Sequence, residues 1–261
     1  MDNFCFTLYT ISFVKLKIKY LIFTMNIIIT GASRGIGYEL VKNISSTGNH
    51  TIFAVSRNSE KLYLLANECK EKNAATTVIP VGCDLSKENE IQSLIALVKT
   101  YTAHIDILIN NAGALVNKPF LEISKSDIEY AYSVNVFSTF NLIQNVLPLM
   151  FASTIRGHIV NIGSVGGFQG SIKFAGLSAY SSSKAALASL TECLAEEFKE
   201  KNVAFNCLAL GAVQTEMLNE AFPGYIAPLK ANEMATFISQ FAMSAHHYLN
   251  GKIIPVSMSN P

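Results

Sequence analysis

From Met25 onward, short apolar runs rich in β-branched residues alternate with longer stretches of helical period. The runs predict strands at 26–30, 51–55, 77–81, 105–110, 158–162, 204–210 and 252–256. The stretches between them predict helices near 35–46, 59–72, 87–102, 125–151, 178–201 and 231–242. Runs such as Ile27-Ile28-Ile29 and Ile107-Leu108-Ile109 are apolar at odd and even positions alike, so those strands need cover on both faces. Strand and helix in regular repetition predict a single-domain α/β fold over residues 25–261: a doubly wound parallel sheet of about seven strands with helices on both sides. No internal repeat, low-complexity segment or shift in composition marks a second domain.

Composition changes this picture little. Half of the 261 residues are apolar, and 20 basic against 19 acidic side chains give a net charge of +1. That balance leaves no electrostatic footprint for nucleic acid, so none is expected as a partner. The five cysteines, Cys5, Cys69, Cys83, Cys193 and Cys207, are odd in number and form no C-x-x-C pair. They read as small hydrophobes in a reducing, cytoplasmic compartment rather than as metal ligands or a disulfide framework. Two glycosylation sequons, at Asn43 and Asn49, stand alone, since nothing else looks secreted.

Residues 1–24 are different: apolar, aromatic and free of Gly and Pro. Lys15, Lys17 and Lys19 follow the apolar run, the reverse of a signal peptide, and the clean stretch 4–14 is too short to span a bilayer as a helix. Three readings remain: an interfacial anchor, an extra strand, or an upstream stretch translated in error. The third is favoured, because Met25 stands directly before the first core strand. The expectation is an extension outside the fold, and no membrane partner unless that extension is an anchor.

Candidate chemistry begins in Thr30-Gly31-Ala32-Ser33-Arg34-Gly35-Ile36-Gly37, between the first strand and the first helix. Gly31 permits a sharp turn, Gly35 a close approach of backbone to a pyrophosphate, and Gly37 close packing of helix on sheet. The helix N-terminus then faces the anion with unpaired N–H groups. About twenty residues later, an acid would hold ribose hydroxyls. This chain has Ser56-Arg57 there, with Arg34 as a second cation, and two guanidinium groups suit a 2′-phosphate better than a diol. Tyr180 and Lys184 lie one helical turn apart at the start of a long helix. A free phenol titrates near 10, and a neighbouring ammonium lowers that value, which makes the pair a workable acid/base. Ser164, sixteen residues earlier, ends a strand where a hydroxyl can hold a substrate oxygen. Asn135 sits inside a predicted helix, a position that Asn does not favour.

Taken together, the glycine loop, Asn110-Asn111-Ala112-Gly113, Val134-Asn135-Val136-Phe137, Gly163-Ser164-Val165-Gly166-Gly167 and Tyr180-Ser181-Ser182-Ser183-Lys184 resemble the short-chain dehydrogenase/reductase family, in its order and spacing, over almost all of 25–256. The resemblance implies a Rossmann-type fold and an enzyme that moves a hydride between a nicotinamide and a small-molecule carbonyl or alcohol. It implies the tetrad Asn135, Ser164, Tyr180 and Lys184. Tyr180 would be the acid/base and Ser164 would position the carbonyl. Lys184 would lower the Tyr180 pKa and grip the nicotinamide ribose, and Asn135 would complete a water-linked relay. Cofactor contacts would come from Gly31, Ser33, Arg34, Gly35, Ile36, Gly37, Ser56, Arg57, Asp84, Leu85, Asn111, Ala112, Gly113, Tyr180, Lys184, Gly211, Val213 and Thr215. NADP(H) is expected over NAD(H). Asp84 would meet the adenine, cap the next helix, or both. Substrate-pocket loops are expected around Phe168, Phe174 and Met217. Helices 125–151 and 178–201 carry extra apolar residues, Phe140, Leu142, Val146 and Leu194, and the matching family helices pair across a twofold axis, so a homodimer or homotetramer is expected. Departures are Leu210 before Gly211, where proline is usual and whose loss should loosen the turn, a short lid over 216–228, a long apolar loop between Ser164 and Tyr180, and a last strand without the common Asp-Gly-Gly. A non-catalytic NADP(H) sensor on the same fold is the competing reading.

Overall fold

The computed structural model describes residues 24–258. The extension expected over residues 1–24 lies, but for Thr24, outside them. Seven parallel strands form one sheet: β1 (Asn26–Thr30), β2 (Thr51–Ser56), β3 (Thr77–Gly82), β4 (Ile107–Asn110), β5 (Gly157–Ser164), β6 (Val203–Leu210) and, last in the chain, β9 (Lys252–Val256). Their order is β3-β2-β1-β4-β5-β6-β9, the doubly wound arrangement that alternation predicts.

Both strand faces are buried for the reason the sequence suggests. Ile27 and Ile29 turn to one side, against α1 (Gly35–Ser45), α2 (Ser59–Lys72) and α8 (Ala231–Ser244). Ile28, Phe53 and Phe205 turn to the other, against α3 (Glu88–Tyr101) and α5 (Ser138–Phe151). Each such side chain is wholly withdrawn from water, worth about 1.5–3 kcal/mol apiece. The helix α6 (Ser178–Glu197) runs beside β5 and β6 and carries Tyr180 and Lys184. A small pair, β7 (Val213–Gln214) and β8 (Leu229–Lys230), brackets the lid helix α7 (Glu216–Ala221).

Two expectations change. The helix expected over 125–151 is α4 (Lys125–Tyr132) and α5 joined by a π turn, Ser133–Phe137, which carries Asn135. By length and composition this composite helix is apolar enough to cross a bilayer, yet over half of its apolar window is buried on the sheet. Leu142 and Val146, expected to exceed one face, are core residues, and Leu194 packs on the same core. Only Phe140 of the four points outward; Phe137 in the π turn and Phe151 at the end of α5 are exposed too. Leu210, where proline is usual, is buried, ends β6 in register with Ser164 and Val256, and is followed by a bond from Gly211 N to Val256 O of 2.9 Å.

Candidate active site

A cleft of about 1310 Å³ opens along the C-terminal ends of the strands, where the order reverses between β1 and β4. Its floor near β1 is the glycine loop. Arg34 caps α1 in an extended conformation without a side-chain capping bond, and the first turn holds no acid. The first N–H groups of α1 therefore point at the cleft without a side-chain cap, and the dipole there favours an anion. Gly37 lies beneath the Gly31 carbonyl and the Asn111 amide with no room for a Cβ. Asn111 Nδ2 donates to Thr30 O at 2.9 Å, and the N–H groups of Asn111 and Ala112 both donate to Thr30 Oγ1 at 3.0 Å. These bonds lock the end of β4 to the end of β1. The loop's shape and free donors fit a dinucleotide pyrophosphate.

The end of the cleft beside β2 and β3 is walled by Ser56, Arg57, Ser59, Lys61, Asp84 and Leu85. No carboxylate ends β2; the closest in sequence on this wall is Glu60, in the first turn of α2. Asp84 does not cap α3, whose N-cap is Lys87. Its Oδ1 instead accepts from Ser86 N at 3.1 Å and Ser86 Oγ at 2.8 Å. Burial opposes its ionisation, but the Ser86 bonds and the Arg57 charge outweigh burial and hold its carboxyl below the usual range. Arg34 turns to the lid: its Nη1 meets Glu220 Oε1 at 2.5 Å, an exposed ion pair spanning the mouth of the cleft.

Ser164, Tyr180 and Lys184 converge at the centre of the cleft. Ser164 is the last residue of β5, and its Oγ accepts from Gly166 N at 3.2 Å. The turn after it, Val165–Gly167, presses on the first turns of α6 so closely that a Cβ on Gly167 would stand 2.6 Å from Ala185 N. Glycine there is what lets the strand's serine and the helix's tyrosine share one site. Burial raises the Tyr180 pKa, and the Ser164 hydroxyl pulls it back. Lys184 lines the same cleft. Its Nζ is buried and donates to Ile162 O at 2.7 Å, and burial brings it down to about 8. An ammonium with that value is still mostly protonated at neutral pH.

Asn135 stands behind this group, buried. Its Oδ1 accepts from Ala114 N at 2.8 Å, and its Nδ2 donates to Ala114 O at 2.9 Å and Ser183 Oγ at 2.9 Å. A Cβ on Gly113 would lie 3.4 Å from both Asn135 Oδ1 and Lys184 Nζ, so these two side chains flank one glycine. The Asn side chain thus ties the loop after β4 to α6 across the π turn. A second chain, Asn110 Nδ2 to Asn161 Oδ1 at 2.8 Å and Asn161 Nδ2 to Thr191 Oγ1 at 2.9 Å, fixes β4, β5 and α6 to one another.

Of the catalytic and cofactor residues expected from sequence, all but Gly37 and Asn135 line the cleft; those two support it from behind. Gly211, Val213 and Thr215 form its far wall, and Thr215 Oγ1 also caps the lid helix by accepting from Leu218 N at 3.3 Å. Phe174 and Met217 face the cleft, but Phe168 does not: its carbonyl instead closes the turn, accepting from Ser171 Oγ and Lys173 Nζ. Sequence reading missed Leu115, Tyr130, Val134 and Phe222, which wall the open end. They are ordinary apolar positions of loops and helices, and carry no local signal of their role.

A seven-stranded parallel sheet, a glycine loop at its switch point and a Ser–Tyr–Lys cluster beside it define a nicotinamide-dependent oxidoreductase. The family model for short chain dehydrogenases matches residues 25–225, and the chain belongs to that family, whose members act on alcohols and carbonyls. The fatty acyl-CoA reductase of Acinetobacter baylyi is 31% identical over 214 residues, 81% of this chain and 70% of that protein. The 3-oxoacyl-acyl-carrier-protein reductase of Aquifex aeolicus is 35% identical over 190 residues, 73% of this chain and 74% of that one. Among solved structures, L-sorbose reductase from Gluconobacter frateurii, complexed with NADPH and L-sorbose, aligns with a TM-score of 0.81 at 24% identity, covering 90% of this chain and 96% of that one, a likeness of fold.

Proposed function

We propose that the protein is an NADP(H)-dependent carbonyl reductase or alcohol dehydrogenase in which Tyr180 is the acid/base. The observation that carries this reading is the convergence of Ser164, Tyr180 and Lys184 beside the glycine loop in one cleft. The bound nicotinamide would supply or accept the hydride. In reduction, Ser164 Oγ holds the substrate oxygen next to the Tyr180 phenol, which delivers a proton to that oxygen as the alcohol forms. The Lys184 ammonium, already fixed on Ile162 O, favours the phenolate left behind and offers its other protons to the ribose. Asn135 acts through position, by clamping Ala114 and Ser183 around Lys184. A sensor without turnover would have no use for this complete arrangement, which favours the enzyme.

Preference for NADP(H) is supported by Arg57 and Lys61 on the wall beside β2 and β3 and by Ser56 in place of an acid. Arg34 serves the same phosphate once it leaves Glu220. The outward Phe137, Phe140 and Phe151 on the composite helix support a homo-oligomer. The four described cysteines are all free thiols, consistent with a reducing, cytoplasmic compartment.

The test is Tyr180→Phe in single-turnover mixing with NADPH and a panel of carbonyls. Hydride transfer should fall by about 10²–10⁴-fold, the contribution of a positioned general acid, with cofactor affinity little changed. A variant with near-normal turnover would overturn the assignment.

A further inference from the structure

The open end of the cleft differs in chemistry from the cofactor end. Beyond Tyr180 its walls are Leu115, Val134, Ile172 and Phe174, with Phe222 on the lid side. Cations near this rim are already occupied. Lys173 Nζ folds back onto Phe168 O at 2.6 Å and Ser171 Oγ at 2.7 Å, and Lys118 Nζ is held by both oxygens of Asp127 at 2.7 Å. With Lys118 and Lys173 so engaged, neither is left to receive a carboxylate or a phosphate, and the Tyr130 phenol is the one hydroxyl among the open-end residues named above.

The rim also spends apolar surface on water. Ile172 is 61% exposed and Phe174 53%, and both sit on the loop that leads from Ser164 to Tyr180. Outside Phe174 lies a second pocket of about 470 Å³, which shares Phe174 and Leu177 with the main cleft and is closed by Phe120, itself 76% exposed. Phe174 is therefore a partition between the open end of the cleft and a side pocket whose wall is mostly apolar, with Lys173, Ser178 and Ser181 beside Pro119, Phe120 and Leu177. Contiguous apolar exposure of this kind, continuous with a reaction site, marks a surface that a ligand covers.

Resting on the reading above, we propose that the substrate carbonyl is carried near the end of an extended, uncharged hydrocarbon chain. The carbonyl lies at Ser164 and Tyr180. The chain runs between Leu115 and Ile172, crosses Phe174 and ends in the side pocket against Phe120. A small polyol or a compact charged substrate would leave this trough wet and unmatched.

The experiment uses the full chain with NADPH and straight-chain methyl ketones from 2-butanone to 2-undecanone. Each methylene buried is worth about 0.8 kcal/mol, so kcat/KM should rise roughly three- to fourfold per added carbon until the chain passes the rim. Phe174→Asp should cut kcat/KM for 2-undecanone at least tenfold more than for 2-butanone. In parallel, displacement of bound Nile red by 2-undecanone, but not by 2-butanone, reports the trough without any turnover. A flat or falling series with measurable turnover overturns the chain proposal and leaves the oxidoreductase reading standing. Absence of turnover with every carbonyl, together with normal Nile red displacement, overturns the reading and keeps the trough. Failure of 2-undecanone to displace the dye sinks the proposal whatever the turnover. A flat series combined with loss of oligomer mass in Phe120→Asp would assign the rim to a second copy of the chain, and would overturn it equally.

Discussion

Replacing Gly167 by alanine adds one methyl group where the turn after β5 meets α6. The φ of Gly167 lies outside the left-handed region, so alanine carries no backbone penalty and the perturbation is purely one of contact. The new Cβ would stand 2.6 Å from Ala185 N, 2.7 Å from the Lys184 carbonyl carbon and 2.8 Å from Lys184 Cβ, where ordinary contact begins at 3.4 Å. Two of these three atoms are helix backbone and cannot swing aside. Turn and helix must therefore part by roughly 0.8 Å to restore ordinary contact. That shift falls between Ser164, three residues before the glycine, and the helix that carries Tyr180 and Lys184. A misplacement of about 1 Å between reacting groups costs on the order of 10²-fold, so hydride transfer should slow by about that factor, near 2.7 kcal/mol of barrier. Overpacking of this size destabilises by about 1–3 kcal/mol, which should leave a domain of this size folded. The glycine loop is remote from the insertion and should keep its share of cofactor affinity, so only the Lys184 contact to the ribose should weaken, by no more than about tenfold, roughly 1.4 kcal/mol. Single-turnover decay of NADPH fluorescence measures the first quantity, cofactor titration the last, and thermal melting checks the fold. A folded Gly167→Ala protein that transfers hydride within a few-fold of wild type would refute the claim that this contact sets the site's geometry.

Arg57→Ala should weaken NADPH binding by about tenfold or more, the loss of one charge-assisted hydrogen bond worth roughly 1.5–3 kcal/mol, and leave NADH nearly unchanged; equal losses for both cofactors would refute a phosphate role. Stability should fall in mild acid through His158. Its Nδ1 faces Ala242 O at 2.9 Å, and its Nε2 faces Asn206 Nδ2 at 3.0 Å, an amide whose orientation is set because Nδ2 donates to Leu249 O and Oδ1 accepts from Lys252 N. Only the neutral ring satisfies both partners, and burial pushes its pKa down to about 3 from the ordinary 6.5, with His246 beside it lowered to about 4, also chiefly by burial. Because the folded value lies below the unfolded one, the stabilisation is complete above pH 6.5 and drains as pH falls toward 3. The slope is about 1.4 kcal/mol per pH unit for each proton, so urea unfolding at pH 7 and pH 5 should differ by about 2 kcal/mol through His158 alone, and an identical unfolding free energy at the two would refute it. Light scattering at micromolar protein should give a multiple of the chain mass, and Phe140→Glu should lower it; a monomeric wild type would end the oligomer proposal.

The residues of the candidate site were legible because the chemistry proposed for them demands their types at short spacings. Tyr180 and Lys184 share one helical face, and Ser164 ends a strand whose apolar run is plain. The glycine loop reads because only glycine tolerates the closeness of helix, strand and anion. The clamp on Asn135 was not legible: its partners, Ala114 and Ser183, lie 21 and 48 residues away, and the π turn that delivers it differs from an α-turn by a single hydrogen-bond shift. The partner of Lys184 was equally hidden, because it is a backbone carbonyl, at Ile162, that every residue possesses.

Periodicity determined the seven strands, their double-sided burial and the helices between them, because each element's pattern of exposure repeats along its own length. Which strand lies beside which depends on contacts between distant segments, and only the tertiary structure decided it. The same holds for outward and inward faces of a long apolar helix. Leu142, Val146 and Phe140 are alike in sequence, and packing against the sheet alone separates the first two from the third. It holds again for Arg34, which local sequence assigns to a phosphate and whose long side chain, free to choose among nearby acids, pairs with Glu220, 186 residues along the chain. Local chemistry names the groups of the site; the close approach of β5 to α6, possible only across Gly167, is what brings them to one point.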